Sequence, residues 1–118
     1  MELEAYLFEQ FGLKGERLFS AHPSFAVYRH EENRKWFCVL MEIDRAKLGI
    51  PTKGKVQVVN FKCHSDMADF LWQQTGIFPA YHMNKKHWIT VLLDGSVEKN
   101  TVLQLLGVSF SLTNKKAR

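Results

Sequence analysis

The segment from residue 79 to residue 95 concentrates polar side chains that could contact a ligand. They stand between two apolar runs, and they are His82, Asn84, Lys85, Lys86 and His87. Lysine ammonium groups can reach phosphates as mobile point charges. Amide and imidazole groups can orient a phosphate, a sugar or a base edge. The spacing therefore predicts an anion-contacting loop at the mouth of a strand.

Two aromatic residues, Tyr81 and Trp88, flank this polar loop. Either ring could stack on an unpaired base, a contact worth about 1–3 kcal/mol. Trp88 also begins an apolar strand, and because tryptophan is heavily buried on average, a core position is favoured for it. Asn84 could simply turn the chain, and the two neighbouring lysines could be solvated without a partner.

The formal charge of +4 is unevenly distributed along the chain. Residues 1–32 hold six acids against three bases, whereas residues 33–62 hold seven bases against two acids. Residues 96–118 hold four bases against one acid. Such polarity can draw an anionic partner to one side, although a solvated surface shows the same pattern. The basic residues expected to join the loop lysines in binding nucleic acid are Lys115, Lys116 and Arg118, with Lys53 and Lys55 as secondary contributors.

Metal binding and cofactor binding are not expected. His82 and His87 are five positions apart, and Cys63-His64 adds one neighbouring pair, which is too little for a closed tetrahedral site. The first predicted helix carries three glutamates, which make a poor carboxylate ridge for iron.

Catalysis is not expected either. Ser20-Ala21-His22 and Ser65-Asp66 place hydroxyl groups near possible bases, but no nucleophile elbow of the Gly-x-Ser-x-Gly type is present. The glycines form no phosphate-cradling loop, and the carboxylates show no paired signature. The chain is therefore expected to act by binding.

Hydrophobic periodicity predicts the order helix, three strands, helix, strand, helix. The apolar spacing of the two terminal helices is helical, and Ser65 and Ser96 are expected to cap the second and third helices. Residues 31–34 read as a hairpin loop, and Met67, Phe70 and Leu71 as the buried stripe of the second helix. The predicted segments are a helix ending at Gly12, strands at 25–30, 35–43 and 55–63, a helix at 66–75, a strand at 88–93 and a helix with Val102, Leu105, Leu106 and Phe110 facing inward.

This order predicts one α+β domain over residues 1–118, with a single antiparallel sheet and helices packed on one face. No apolar run approaches the roughly 18 residues that span a bilayer. The N-terminus is acidic, unlike a secretory signal, and Cys38 and Cys63 lie in apolar runs. We expect buried free thiols and a cytoplasmic protein without a membrane partner.

The run Tyr81-His82-Met83-Asn84-Lys85-Lys86-His87-Trp88, followed by Thr90-Val91 and Leu93-Asp94-Gly95, resembles the central motif of the MmcQ/YjbR-like proteins. The earlier Asn60-Phe61-Lys62-Cys63, followed by a helix, is similar to the segment before that motif. The final helix departs, because Ser109-Phe110 stands where the family more usually has a Ser-Tyr pair. The resemblance implies a fold like that of bacterial frataxin-like proteins and a double-wing DNA-binding arrangement.

The sequence thus predicts a nucleic-acid-binding protein, most simply a DNA-binding one, that contacts the phosphate backbone through a basic edge. The alternative is a non-enzymatic module that binds a small ligand or a protein on the concave face near Tyr81 and His82. A basic rim continuous in space would favour nucleic acid, and an apolar pocket beside these two residues would favour a ligand.

Overall fold

In the computed structural model, which describes residues 2–114, five strands form one antiparallel sheet in the order β1-β2-β3-β5-β4. Two short 3-10 turns, Arg45–Leu48 and Ser65–Met67, lie within the connections. The helices and strands are α1 (Leu3–Phe11), β1 (Ala26–Arg29), β2 (Trp36–Asp44), β3 (Lys55–Lys62), α2 (Ala68–Trp72), β4 (Ile77–Pro79), β5 (Trp88–Leu92) and α3 (Lys99–Thr113).

All three α-helices pack on the same face of the sheet. Leu7 of α1 and Leu106 of α3 are buried against Phe61, Ile89 and Val91 of the central strands. Burying such side chains stabilises the fold by about 1.5–3 kcal/mol each. The predicted α+β class, the antiparallel sheet and the single helical layer are confirmed.

Loops rather than α-helices cover the second face of the sheet. Val39, Met41 and Val58 are buried there. Partly exposed side chains from the connections around residues 19, 48–50 and 81–83 pack over them. Because this cover is incomplete, the second face leaves room for a ligand between its loops and the strands.

The second helix differs from its prediction. It spans five residues after a 3-10 turn, and the Ser65 side chain makes no capping hydrogen bond. Met67 and Phe70 are 42% and 56% exposed, whereas Ala68 is buried. The small side chain of Ala68 allows the helix to lie close to the sheet, and Leu71 packs against the core as predicted. Met67 and Phe70 point toward solvent instead.

The sequence also missed β4, which follows Gly76 directly and pairs with β5 from Ile77↔Val91 to Pro79↔Ile89. Gly76 has a φ of 84°, a left-handed conformation in the turn between α2 and β4. The strand has three residues and includes a proline, which is tolerated because the strand lies at the sheet edge.

The third helix begins later than Ser96. Ser96 instead donates both its backbone N–H and its hydroxyl to the Asp94 carboxylate within a turn, and the helix starts at Lys99 after Glu98. The hydrogen bonds from Ser96 lower the pKa of the Asp94 carboxyl.

The two cysteines are free and buried, as predicted. Burial raises the pKa of both the Cys38 and the Cys63 thiols, which makes them poor nucleophiles. Within residues 2–114, no helix is both long and apolar enough to cross a membrane.

Candidate functional site

One end of the sheet gathers four lysines from three parts of the chain. Lys62, the last residue of β3, pairs with Trp88, the first residue of β5. The Cys63 N–H donates to the His87 carbonyl at 2.8 Å, which fixes the loop before β5 against the end of β3. The β1–β2 hairpin turns at this same end. We call this cluster the basic end, formed by Lys35, Lys62, Lys85 and Lys86.

Within the part of the chain that the structure describes, the lysines of the basic end have no acidic partners. Arg29 and Arg34 nearby both contact Glu16, and the hydrogen bond from Arg29 lowers the pKa of the Glu16 carboxyl. Among residues 2–114 no ion pair joins any of the four lysines to a carboxylate. Their charge is therefore available to an anionic ligand, with Glu31 and Glu32 of the hairpin turn and Asp66 after β3 as the nearest opposing charges along the chain.

Lys53 and Lys55 do not belong to this cluster, and their predicted place on one basic edge is wrong. Lys55 begins β3 opposite Asp44, whereas Lys62 ends it. Seven residue steps at the usual strand rise separate the two by about 23 Å. The predicted contacts Lys115, Lys116 and Arg118 lie outside the described residues.

In the loop of residues 80–87, some polar side chains make hydrogen bonds within the loop and others are exposed to solvent. The Lys85 ammonium donates to the Ala80 carbonyl at 2.9 Å. The Asn84 side chain accepts from the Lys86 N–H at 2.8 Å, so Asn84 turns the chain, as the alternative interpretation allowed. His82, Lys86 and His87 are exposed.

Trp88 is half-buried, not fully buried as a core position would require. It lies at the start of β5 beside Lys62 and belongs to neither cluster of buried hydrophobic residues. Trp88 therefore does not occupy the core position that the sequence favoured for it.

An apolar groove of about 300 Å³ lies on the loop-covered face of the sheet. Valine and methionine side chains of β2 and the Asn60 side chain form its floor. Its walls come from the loop before β1, the start of β2 and the loop before β5. The wall residues are Phe19, His22, Trp36, Tyr81, His82 and Met83.

The rings of the groove contact one another. His22 stacks on Phe25 with centroids 4.5 Å apart and planes 11° from parallel. The centroid of the His22 ring is 5.8 Å from that of His82, so the loop before β1 and the loop before β5 meet across the groove. Phe19 meets Trp36 edge to face at 5.9 Å.

A buried hydrogen-bond network fixes one wall of the groove. Asn60 and Thr90 face each other across β3 and β5, and the Thr90 hydroxyl donates to the side-chain amide oxygen of Asn60 at 2.5 Å. The Tyr81 N–H donates to Thr90 at 2.8 Å, and the Asn60 amide donates to the Tyr81 carbonyl at 2.9 Å. Both backbone groups of Tyr81 are thus held by the sheet.

His82 follows with a φ of 62°, the left-handed region that a residue other than glycine adopts only when its surroundings enforce it. Such a conformation costs of the order of 1–3 kcal/mol and is found disproportionately at binding sites. The Asn60–Thr90 network next to it supplies the constraint, and the His82 side chain lines the groove.

Residues 2–114 contain no group of three or more histidine, cysteine, aspartate or glutamate side chains arranged to hold a metal ion. The His22–His82 pair is the densest such arrangement within the groove, and it offers two imidazoles alone. A metal would need at least one further protein ligand there.

The sequence prediction missed Phe19, His22 and Trp36 as groove residues, and it gave no role to Asn60 or Thr90. A usable signal exists for Asn60, a polar residue inside the otherwise apolar end of a central strand. The three aromatic residues carry no such signal, since distant loops bring them together.

A family model described as YjbR matches residues 13–112. The uncharacterized protein YyaQ of Bacillus subtilis is 32% identical over 105 residues, covering 89% of each chain. The uncharacterized protein YjbR of Escherichia coli is 38% identical over 53 residues, covering 44% of this chain and 45% of its own. A crystal structure of a protein from Pseudomonas syringae matches with a TM-score of 0.92 and 38% identity, over 95% of this chain and 96% of that one.

Proposed function

The chain belongs to the YjbR family, and from this premise we propose that it is a non-catalytic nucleic-acid-binding protein that contacts phosphates through the basic end. One observation carries the proposal. The strand register brings Lys62, Lys85 and Lys86 together with Lys35, and none of them is neutralised by a carboxylate within residues 2–114.

The chemistry of the lysines suits a phosphate backbone. Lysine binds phosphate as a point charge on a flexible stem, and each neutralised phosphate releases condensed counterions. Lys85 uses one of its three N–H donors on the Ala80 carbonyl, which leaves two for a ligand. Lys86 is exposed and can reach a phosphate without rearrangement of the loop.

The test compares two double variants with the same change in charge. Lys85→Ala/Lys86→Ala removes two positive charges from the basic end, and Lys53→Ala/Lys55→Ala removes two exposed ones from the far end of β3. Fluorescence anisotropy with a labelled 20-nucleotide DNA at low salt should show weaker binding for the first variant alone. Thermal unfolding of both variants controls for the lost Lys85–Ala80 hydrogen bond.

Equal weakening by both variants would mean that net charge and not the basic end controls binding. Binding of no DNA or RNA by the unaltered protein at low salt would end the proposal.

The apolar groove favours a second candidate, a module that binds a small ligand. Its aromatic walls and its volume of about 300 Å³ fall at the lower end of the range for ligand pockets. The two candidates share one face of the molecule, because the groove floor continues along β3 toward the basic end.

A further inference from the structure

We propose that the groove receives the unpaired base of a nucleotide whose phosphate is held by Lys62 at the basic end. The inference rests on the proposed nucleic-acid binding and names the part of the nucleic acid that the groove would recognise. It predicts that the protein prefers single strands to duplexes.

The shape and lining of the groove suit one planar ring system. Phe19, Trp36 and Tyr81 supply aromatic rings to the lining, and His22 and His82 supply imidazoles. Stacking on such side chains is the usual means by which proteins hold unpaired bases, whatever the base. The wall beside Tyr81 is fixed before any ligand arrives, because Asn60 and Thr90 hold its backbone.

The position of Lys62 relative to the groove suits the rest of a nucleotide. Asn60 forms part of the floor, and Lys62 follows it two residues along the same strand. Alternate side chains of a strand share a face, so Lys62 stands about 7 Å beyond Asn60 on the groove side. A base in the groove would therefore place its own or the neighbouring phosphate toward a positive charge.

The groove geometry discriminates against duplex DNA. The concave site lies between two loops, and a base paired in a helix cannot enter it without leaving the stack. The exposed lysines of the basic end, in contrast, can contact phosphates of either strand form. A higher affinity for single-stranded than for duplex DNA therefore measures binding in the groove. The affinity that the two forms share measures binding by the lysines.

The experiment titrates the full chain with a ten-nucleotide oligo(dT) single strand and with a hairpin duplex of equal phosphate number. We expect tighter binding of the single strand. His22→Ala/His82→Ala and, separately, Trp36→Leu should lower single-strand affinity by roughly 5- to 150-fold, the effect of one lost stacking contact. Phe70→Ala is the matched control, since Phe70 is an exposed aromatic on the helical side.

A second readout follows the indole N–H signals of the three tryptophans by NMR. Oligo(dT) should shift the Trp36 signal, assigned by its absence in Trp36→Leu, and leave the signal of Trp72 on α2 in place. Thymidine monophosphate is added in a parallel titration. A shift of Trp36 by the mononucleotide without oligonucleotide binding would support the groove as a nucleotide site and contradict the backbone-binding proposal.

Equal affinity for single strand and duplex, unchanged in the folded groove variants, would overturn the inference and leave the basic end as the binding site. A Trp36 signal that does not move on saturation with oligo(dT) would overturn it as well. Absence of any binding would overturn both proposals.

Discussion

Asn60 and Thr90 are fully buried polar residues in the middle of an apolar sheet. Buried polar groups are destabilising unless hydrogen-bonded, and here each hydrogen bond serves the other residue or the backbone of Tyr81. The pair therefore connects the two central strands to the loop that forms one wall of the groove.

Replacing Thr90 by valine should destabilise the protein by about 1–3 kcal/mol, because the hydroxyl is lost while the Tyr81 N–H and the Asn60 oxygen remain buried. Thr90→Ser keeps the hydroxyl and should cost less. Chemical denaturation measures both changes. A Thr90→Val protein as stable as the unaltered protein would show that the hydroxyl contributes nothing.

The sequence indicated part of this site and missed the rest for a physical reason. Asn84 as a chain-turning residue and buried cysteines could be predicted from local chemistry. The partner of Asn60 is a backbone group 21 residues away, and that of Thr90 is nine residues away around a loop. No local propensity encodes such contacts. Asn60 and Thr90 did, however, belong to the segments that resemble the MmcQ/YjbR-like proteins.

Helix α3 is anchored to the sheet through Ser109. The Ser109 hydroxyl donates to the Phe37 carbonyl at 2.5 Å and accepts from the Lys62 N–H at 2.8 Å. One buried side chain thus joins the helix to β2 and to the end of β3 that carries Lys62. The neighbouring Phe110, where the family pattern usually has tyrosine, stacks on Phe11 at 4.7 Å instead of offering a hydroxyl.

Ser109→Ala should lower the free energy of unfolding by about 1–3 kcal/mol, since two buried backbone groups lose their partner. Ser111→Ala, on the exposed side of the same helix, should change it by no more than about 0.5 kcal/mol. Thermal or urea unfolding distinguishes the two. A Ser109→Ala protein as stable as Ser111→Ala would contradict the anchoring role.

At the level of elements, the length of a segment and the strength of its apolar pattern decided what could be predicted. The apolar stripes of α1 and α3 and the long runs of β2 and β3 carry their own periodic signal, and these elements were predicted correctly. Helix α2 has five residues and β4 has three, so each holds fewer than two periods of its pattern. Their form is set by the edge of the sheet against which they pack.

For the whole molecule, the distribution of charge along the sequence did not predict its distribution in the fold. Residues 33–62 carry the largest excess of bases, but β3 runs the length of the sheet and divides that charge between its two ends. The antiparallel register then joins Lys62 to the loop lysines, more than 20 positions later in the chain. Basic residues that are close in sequence are therefore far apart in the fold. Basic residues that are distant in sequence lie at the same end of the sheet.

The salt dependence of DNA binding tests the central claim, that the basic end contacts phosphates, most directly. The logarithm of the association constant should fall linearly with the logarithm of salt concentration, by about one unit of slope per phosphate neutralised. Lys85→Ala/Lys86→Ala should flatten this slope by up to about two units for every DNA sequence, and Lys53→Ala/Lys55→Ala should leave it unchanged. An unchanged slope in the first variant, or equal flattening in both, would contradict the account.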